Sequence, residues 1–184
     1  MTPFFKTDKK SGEKSEELIK RFNDLPAFVA TGGEIVFVSD DFLEVHLKFN
    51  LTENTKNYHG TGFGGAIYSS LDPIYPLQLC NILGDDYVVW DLSANIDYVR
   101  PITDHVYARF LLSQEIIAKI KQDVIDKNKS VVSLPVCYED TDNNIYAEAT
   151  KTIYIADREY FTCCSLYTSL CPRDISGHLI PSAA

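Results

Sequence analysis

The sequence predicts an α+β protein in which a curved, mostly antiparallel sheet of about six strands wraps around a long central helix. Six runs have the apolar or alternating pattern of strands, and short polar turns between several of them favour antiparallel hairpins. Residues 64–83 are apolar nearly all round, so a helix there must be covered on most sides. A second helix at 113–129 is amphipathic, which is typical of a surface helix.

The first elements are a short helix and a hairpin. Leu18, Ile19 and Phe22 share one helical face, and that helix must end before Pro26. Residues 34–49 then read as two strands around a polar turn. The second strand alternates, which predicts a buried apolar face and an exposed polar one: Leu43, Val45, Leu47 and Phe49 against Glu44, His46 and Lys48.

Two further strands follow the buried helix, which has a natural end at Gly84. They lie at 87–99 and 104–112 and are divided by Pro101. The first of them carries alternating polar residues, which predict one polar face: Asp91, Ser93, Asn95 and Asp97.

The last elements are the amphipathic helix and a closing hairpin. Ser113 has the side chain of a helix N-cap. Residues 130–156 form two strands around a polar turn. Pro135 predicts an edge or bulged position for its strand, because proline has no N–H to donate to the ladder.

This order of elements predicts one domain at residues 16–157. Residues 1–15 are strongly polar after Phe5, and we expect a flexible N-terminal tail there. Residues 158–184 show no clear periodicity, so we expect a C-terminal tail whose structure the pattern does not define.

Charge and cysteine content narrow the partners and the compartment. The formal net charge of −9 disfavours nonspecific binding to nucleic acid or to an anionic membrane surface. No secretory signal or membrane-spanning run is visible. Five cysteines without the spacing of a disulfide framework favour a reducing compartment, so we expect a cytoplasmic protein. The four histidines show no metal-ligand spacing, so we expect no metal.

The most unusual stretch is NYHGTGFGGAIYSSLDPIYP at 57–76, with four glycines within six residues. Residues 60–65 match the G-x-G-x-x-G pattern of dinucleotide-binding proteins. That pattern requires a hydrophobic strand directly before it and a βαβ unit around it, whereas polar residues precede it here. A phosphate-binding P-loop would need Lys and then Ser or Thr after the last glycine, and Ala66 and Ile67 follow instead. We therefore reject both nucleotide motifs.

Two interpretations of the glycines remain open. Glycines at the beginning of a helix leave its first N–H groups unshielded, and these groups carry the positive end of the helix dipole. Such groups stabilise negative charge that develops on a carbonyl oxygen. Alternatively, the glycines serve only a tight turn that needs positive φ.

Asp72 also has two interpretations. It follows Gly65 by seven residues, which places it on nearly the same helix face about 10 Å further along. One carbonyl group cannot contact both the beginning of that helix and Asp72, so a catalytic Asp72 requires a site shared between two copies of the chain. Alternatively, Asp72 is the N-cap of a second helical piece with Pro73 at its first position.

Residues 16–157 resemble hot-dog-fold proteins, in particular a thioesterase-like branch often described only as a domain of unknown function. The resemblance lies in NYHGTGFGGAIYSSLDPIYPLQLCNILGDDYVVWDLSANIDYVRP and ATKTIYI. GGAIYSSLD is similar to the central helix of phenylacetate-type acyl-CoA thioesterases, with an aspartate seven residues after the second glycine. Asn57, seven residues before Gly64, matches the loop asparagine of that pattern.

The resemblance implies hydrolysis of an acyl thioester by a homodimer or tetramer with active sites between subunits. Coenzyme A would enter as part of the substrate, and no separate cofactor is implied. Asp72 would act as general base on water or as nucleophile, and Asn57 would position the substrate or the water. The N–H of Gly64 or Gly65 would polarise the thioester carbonyl. We expect Asp72 to be buried by its apolar neighbours, because an unperturbed carboxylate is a weak base.

The chain departs from this pattern at Phe63, where related thioesterases usually have histidine before the glycine pair. His59 lies four residues earlier and either replaces that polar group or is a solvated loop residue. Arg100 is a candidate contact for a coenzyme A phosphate, with a surface ion pair as the alternative. We predict Phe63, His59 and Arg100 as substrate contacts.

Three functions follow from these patterns. The first is hydrolysis of acyl-CoA or a related acyl thioester. The second is noncatalytic binding of an acyl group, which the loss of histidine at Phe63 favours. The third is hydration or dehydration of a double bond on the same fold, which would liberate no thiol.

Overall fold

A computed structural model describes residues 11–167 of the 184-residue chain. Its helices are α1 (Glu13–Asn23), α2 (Pro26–Val29), α3 (Gly64–Leu71), α4 (Ile74–Leu83), α5 (Gln114–Lys127) and α6 (Arg158–Tyr167). Its strands are β1 (Gly33–Val38), β2 (Glu44–Phe49), β3 (Tyr87–Tyr98), β4 (Val106–Leu111), β5 (Lys129–Glu139) and β6 (Ile145–Asp157).

The six strands form one antiparallel sheet in the order β1-β2-β4-β5-β6-β3, which confirms the predicted α+β class and strand number. The 12-residue strand β3 lies at one edge and is paired to β6 along its length. Its other edge has no strand beside it among the described residues. Trp90 and Tyr98 on this strand are about half exposed and lie on opposite faces of the sheet.

Strands β4 and β5 form the weakest part of the sheet. Within the described residues they pair only at Tyr107 with Glu139 and at Ala108 with Tyr138. Pro135 lies beyond these pairs, opposite Thr150 of β6. A proline at this place removes no hydrogen bond between β4 and β5, so an inner strand tolerates it.

The inner face of the sheet packs against the central helix, which is interrupted rather than continuous. Pro73 and Pro76 lack the N–H groups that a continuous helix would direct at the carbonyls of Ser69 and Asp72. The helix therefore divides into α3 and α4 at Asp72–Pro73. Both parts contribute fully buried residues to the core, which the sheet completes: Ile67, Leu71, Ile74 and Leu79 with Leu47, Phe49, Phe110 and Ile153.

One side chain of the predicted exposed face of β2 is buried. His46 is 3% exposed, packs its ring 5.0 Å from that of Phe37, and places Nε2 2.8 Å from Oε1 of Glu44. The prediction of an exposed His46 was wrong because a polar partner and an aromatic ring on the same face cover it, which strand periodicity does not report.

Helices α1 and α6 extend beyond residues 16 and 157, the ends of the predicted domain. Helix α1 begins at Glu13, and Ser15 within the predicted tail is buried. At the other end, Asp157 accepts a hydrogen bond from the N–H of Tyr160 at 2.9 Å and so supports the first turn of α6. Arg158 anchors that helix by donating to the carbonyls of Asp85 and Tyr87. The rest of the two predicted tails, at 1–10 and 168–184, lies outside the described residues.

Between residues 11 and 167 no helix is both long enough and apolar enough to cross a membrane.

Candidate active site

The glycine-rich stretch ends at the beginning of α3. Phe63 is extended at the N-cap and supplies no side-chain hydrogen bond. The N–H groups of Gly64 and Gly65 have no acceptor among the described residues. Two donors at the positive end of the α3 dipole are therefore free to bind an oxygen atom from outside the chain.

The glycines divide between the two interpretations that the sequence left open. Positive φ occurs at Gly60 (80°), which is the turn residue, and not at Gly64 or Gly65. A Cβ at Gly64 would lie 3.2 Å from the ring of Tyr98, whose hydroxyl donates to the Gly64 carbonyl at 2.8 Å. A Cβ at Gly65 would lie 2.7 Å from the ring of Phe63. The glycine pair thus lets the rings of Tyr98 and Phe63 approach the beginning of the helix closely, whereas Gly60 makes the turn.

Asn57 organises the loop in front of this helix. Its Oδ1 accepts hydrogen bonds from the N–H groups of His59 (2.9 Å) and Thr61 (3.2 Å), and its Nδ2 donates to Thr61 Oγ1 at 2.9 Å. These are the local contacts that asparagine makes in turns. Within one chain, therefore, the side chain of Asn57 stabilises the loop, and its predicted contact with substrate or water stays a prediction.

The three predicted substrate contacts are all exposed. His59 packs its ring on that of Tyr58 at 3.8 Å, in the loop. Phe63 is 56% exposed beside the glycine pair. Arg100 follows the end of β3, where its N–H donates to the carbonyl of Tyr146. Of the three, Phe63 lies directly at the beginning of α3.

Asp72 ends α3 and does not cap α4. The N-cap of α4 is Pro73, and no side chain donates to or accepts from that end of the helix. The N-cap interpretation of Asp72 was therefore wrong, because Asp72 keeps helical backbone angles and directs its carboxylate elsewhere. Its side chain is 44% exposed, so the expected burial is incomplete.

The carboxylate of Asp72 is held by a buried lysine. Nζ of Lys151, on β6, forms an ion pair with Oδ1 of Asp72 and a second one with Oδ1 of Asp91 at 3.0 Å. The hydroxyl of Tyr68 also donates to Asp72 Oδ1 at 2.9 Å. Lys151 is 1% exposed, whereas the two carboxylates are partly exposed. A single buried ammonium group thus joins the central helix to strands β6 and β3.

A bulge in β3 brings Asp91 into this cluster. The register between β3 and β6 shifts between Asp91 and Ser93. Residues after the shift alternate as predicted, but the extra residue turns Asp91 to the inner face, where it contacts Lys151. The prediction of one continuous polar face was therefore wrong at Asp91, since periodicity alone does not reveal a bulge.

Burial and charge oppose each other within the cluster. Burial by itself lowers the pKa of Lys151, but hydrogen bonds and charge from Asp72 and Asp91 outweigh it, so the net shift of the Lys151 pKa is upward. Burial raises the pKa of Asp91, and the Lys151 ammonium partly offsets that rise. Burial and the hydrogen bond to Asp72 raise the pKa of the Tyr68 phenol. Lys151 therefore stays charged and the Tyr68 hydroxyl stays protonated at neutral pH.

Sequence reasoning missed Lys151 altogether. The sequence did contain a signal for a buried lysine, because Lys151 stands between Ala149 and Ile153 in the inward-facing series of an alternating strand. A lysine at such a position needs a buried anion as partner. Only the fold shows that the partners are Asp72 and Asp91, which lie 79 and 60 positions earlier in the chain.

No group of three or more His, Cys, Asp or Glu side chains in the described part of the chain is arranged to hold a metal ion.

Solved structures share this architecture over most of the chain. The Pseudomonas aeruginosa protein PA5026, described as a probable thioesterase of unknown function, superposes with a TM-score of 0.69 at 16% identity, covering 78% of this chain and 95% of that one. The thioesterase HI1161 from Haemophilus influenzae gives a TM-score of 0.59 at 17% identity, with 81% and 93% covered. A mutant of the P. aeruginosa thioesterase PA1618 gives 0.58 at 12% identity, with 83% and 97% covered. At these identities the likeness establishes a shared fold.

The sequence comparisons agree with this assignment. No curated protein matches the sequence. The family model of DUF4442, a domain of unknown function, matches residues 17–155. This range includes the glycine stretch, Asp72, Asp91 and Lys151. The chain therefore belongs to the DUF4442 family and has the hot-dog fold of thioesterase-like proteins.

Proposed function

We propose that this protein hydrolyses acyl thioesters, with acyl-CoA as the substrate class, at sites shared between two copies of the chain. One observation carries the proposal: α3 has two free N–H groups at its beginning and a fixed carboxylate at its end. The donors suit the carbonyl oxygen of a thioester, and the carboxylate suits the attacking water.

The proposed reaction uses both ends of α3. The N–H groups of Gly64 and Gly65 donate to the thioester carbonyl oxygen as it gains negative charge. Asp72 takes a proton from water, whose oxygen bonds to the carbonyl carbon. The carbon–sulfur bond then breaks, and the proton passes from Asp72 to the leaving sulfur, which releases the thiol and the carboxylic acid. In the alternative with Asp72 as nucleophile, its carboxylate attacks that carbon and the carbon–sulfur bond breaks, which expels the thiolate and leaves a mixed anhydride that water then hydrolyses.

The two ends of α3 belong to different sites in this proposal. Seven residues of helix separate Gly65 from Asp72 by about 10 Å, too far for one carbonyl group to contact both. A two-fold symmetric dimer solves this by placing one copy's Asp72 beside the other copy's glycines. The open edge of β3, with half-exposed Trp90 and Tyr98, is the surface that we assign to the contact between copies.

Binding without hydrolysis is the second candidate, and two observations favour it. Oδ1 of Asp72 is already engaged by Lys151 and Tyr68, and the side chain of Asn57 is used within its own loop. Phe63 adds an exposed aromatic ring, rather than a polar group, at the beginning of α3.

Thiol release from a panel of acyl-CoAs separates these candidates. We expect wild type to release thiol and Asp72→Asn to lose at least 100-fold in kcat/KM, the contribution typical of a positioned base. Asp86→Asn is the matched control, since Asp86 is an exposed carboxylate beyond the end of α4. Thermal stabilisation by acyl-CoA without thiol release would support the binder. Conversion of an enoyl-CoA, again without thiol, would support a hydratase.

Mixed dimers test whether the sites are shared. Asp72→Asn and Gly65→Ala damage opposite ends of α3, so a mixed dimer would have one intact site and one doubly damaged site. Random exchange of two inactive variants should therefore restore about a quarter of wild-type turnover. Exchange between two batches of Asp72→Asn is the control. No recovery in demonstrably mixed dimers would contradict a shared site.

A further inference from the structure

We propose that Lys151 and Asp91 are positioning residues that together set the charge and orientation of Asp72. This inference rests on the proposed function, because it assigns Asp72 a role in turnover. It concerns Lys151, which contacts Asp72 from the sheet, and Asp91, which contacts Lys151; neither has a place in the reaction written above.

Geometry leaves Lys151 no other role in the described residues. Its Nζ lies 3.0 Å from Asp91 Oδ1 and 3.5 Å from the Tyr68 hydroxyl, and it forms a still closer pair with Asp72. An ammonium group has three N–H donors, so these three oxygens saturate it. Lys151 is therefore not free to bind substrate, and its effect must pass through Asp72.

The cluster contains the charged and titratable groups from every element around Lys151. Tyr68 and Asp72 approach from α3, Asp91 approaches from β3, and Lys151 itself lies on β6. Two carboxylates and one ammonium leave a net charge of −1. A buried cation beside a carboxylate favours the ionised form, whereas a second nearby carboxylate disfavours it. Lys151 and Asp91 thus act on Asp72 in opposite directions.

The bulge in β3 places Asp91 beside Lys151, where its charge acts in the opposite direction to that of the lysine. Without the register shift between Asp91 and Ser93, Asp91 would follow its neighbours to the outer face of the sheet. The bulge instead gives Lys151 a second anion. A lysine shared between two carboxylates is held at a defined point, and Asp72 remains 44% exposed and open to water.

Opposite shifts in the pH dependence of kcat/KM test this inference. Lys151→Met removes the cation but keeps a side chain of similar volume. We expect the acidic limb of the pH profile of kcat/KM to move to higher pH by about one unit or more. Asp91→Asn removes the competing anion, and we expect the limb to move to lower pH. Lys119→Met, on the exposed side of α5, is the control and should leave the limb in place. A merely structural role would lower turnover in both variants without moving the limbs in opposite directions.

Carboxyl 13C NMR titration gives a readout independent of turnover. Asp72→Asn and Asp91→Asn assign the two resonances, and folding of each variant is checked by urea unfolding. We expect the Asp91 titration midpoint to rise in Lys151→Met, because the ammonium that partly offsets the effect of burial is removed, and to fall in Asp72→Asn, because the second carboxylate is removed. Loss of a charged partner is expected to move a titration midpoint by about one pH unit. Midpoints that stay within about 0.3 units of the wild-type value would therefore overturn the inference, even if wild type hydrolyses thioesters. Shifted midpoints in a protein that releases no thiol would instead refute the proposed hydrolysis while upholding the charge relation.

Discussion

A buried hydroxyl pair fastens α3 to the sheet, and its removal has an asymmetric expected cost. Ser70 and Tyr138 are both fully buried, with their hydroxyl oxygens 2.6 Å apart. Ser70 also donates to the carbonyl of Ile67 at 2.8 Å, so its one hydrogen is used there. Tyr138 is therefore the donor in the pair, and Ser70 is its acceptor.

The two single substitutions leave different groups behind. Ser70→Ala leaves the Tyr138 hydroxyl buried without a partner, which costs about 2 kcal/mol. Tyr138→Phe removes one hydrogen bond, but Ser70 keeps Ile67 as its acceptor, so the cost is about 1 kcal/mol. The double variant leaves no orphaned donor, and we expect it to lose about 1 kcal/mol rather than the roughly 3 kcal/mol of an additive pair.

Urea unfolding of the four proteins measures this cycle, with free energies of unfolding compared at constant m-value. Tyr75→Phe is a useful control, because Tyr75 donates to the carbonyl of Pro135 and shares no partner with Ser70. It should combine additively with Ser70→Ala. The reasoning would be refuted by additive costs for Ser70→Ala and Tyr138→Phe, or by a larger cost for Tyr138→Phe than for Ser70→Ala.

Three further predictions concern the scaffold around the site. Gly33→Ala should destabilise the fold by about 1–3 kcal/mol in urea unfolding. The new Cβ would lie 2.8 Å from the Phe28 ring and 3.0 Å from Cβ of Ser70, and an unchanged unfolding midpoint would contradict this packing. Ser113→Ala should lower the free energy of unfolding by about 1 kcal/mol, because the Ser113 side chain accepts a hydrogen bond from the N–H of Ile116. Ser113→Asp should retain most of that stability, and an equal loss in both variants would argue against the cap. Hydrogen bonds from the side chain and backbone of Asn144 lower the pKa of Asp140, so its contribution is present above an ordinary aspartate pKa and is lost as pH falls through the lowered value. Asp140→Asn should therefore lower the melting temperature by more at pH 7 than at pH 3, and an equal difference at both pH values would contradict the assignment.

Several elements were determined by the sequence alone, since their causes are local. Alternation specified the inward residues of β2, including Val45, Leu47 and Phe49, and the all-apolar run identified the central helix. The hairpin turns required antiparallel neighbours, and Ser113 marked the beginning of α5. For the glycines before the apolar run, the sequence left two local causes open, a helix with unshielded N–H groups and a tight turn. Each of these features depends on residues a few positions apart.

Only the tertiary structure decided what surrounds Asp72. Its partner Lys151 lies 79 residues away in the chain, and Asp91 reaches the same lysine because one bulge changes which residues of β3 face inward on either side of it. Burial of His46 likewise depends on a neighbouring strand. Register and strand order bring these groups together, and neither is encoded in a local period. The sequence therefore identified the carboxylate, whereas the fold determined the charges that act on it.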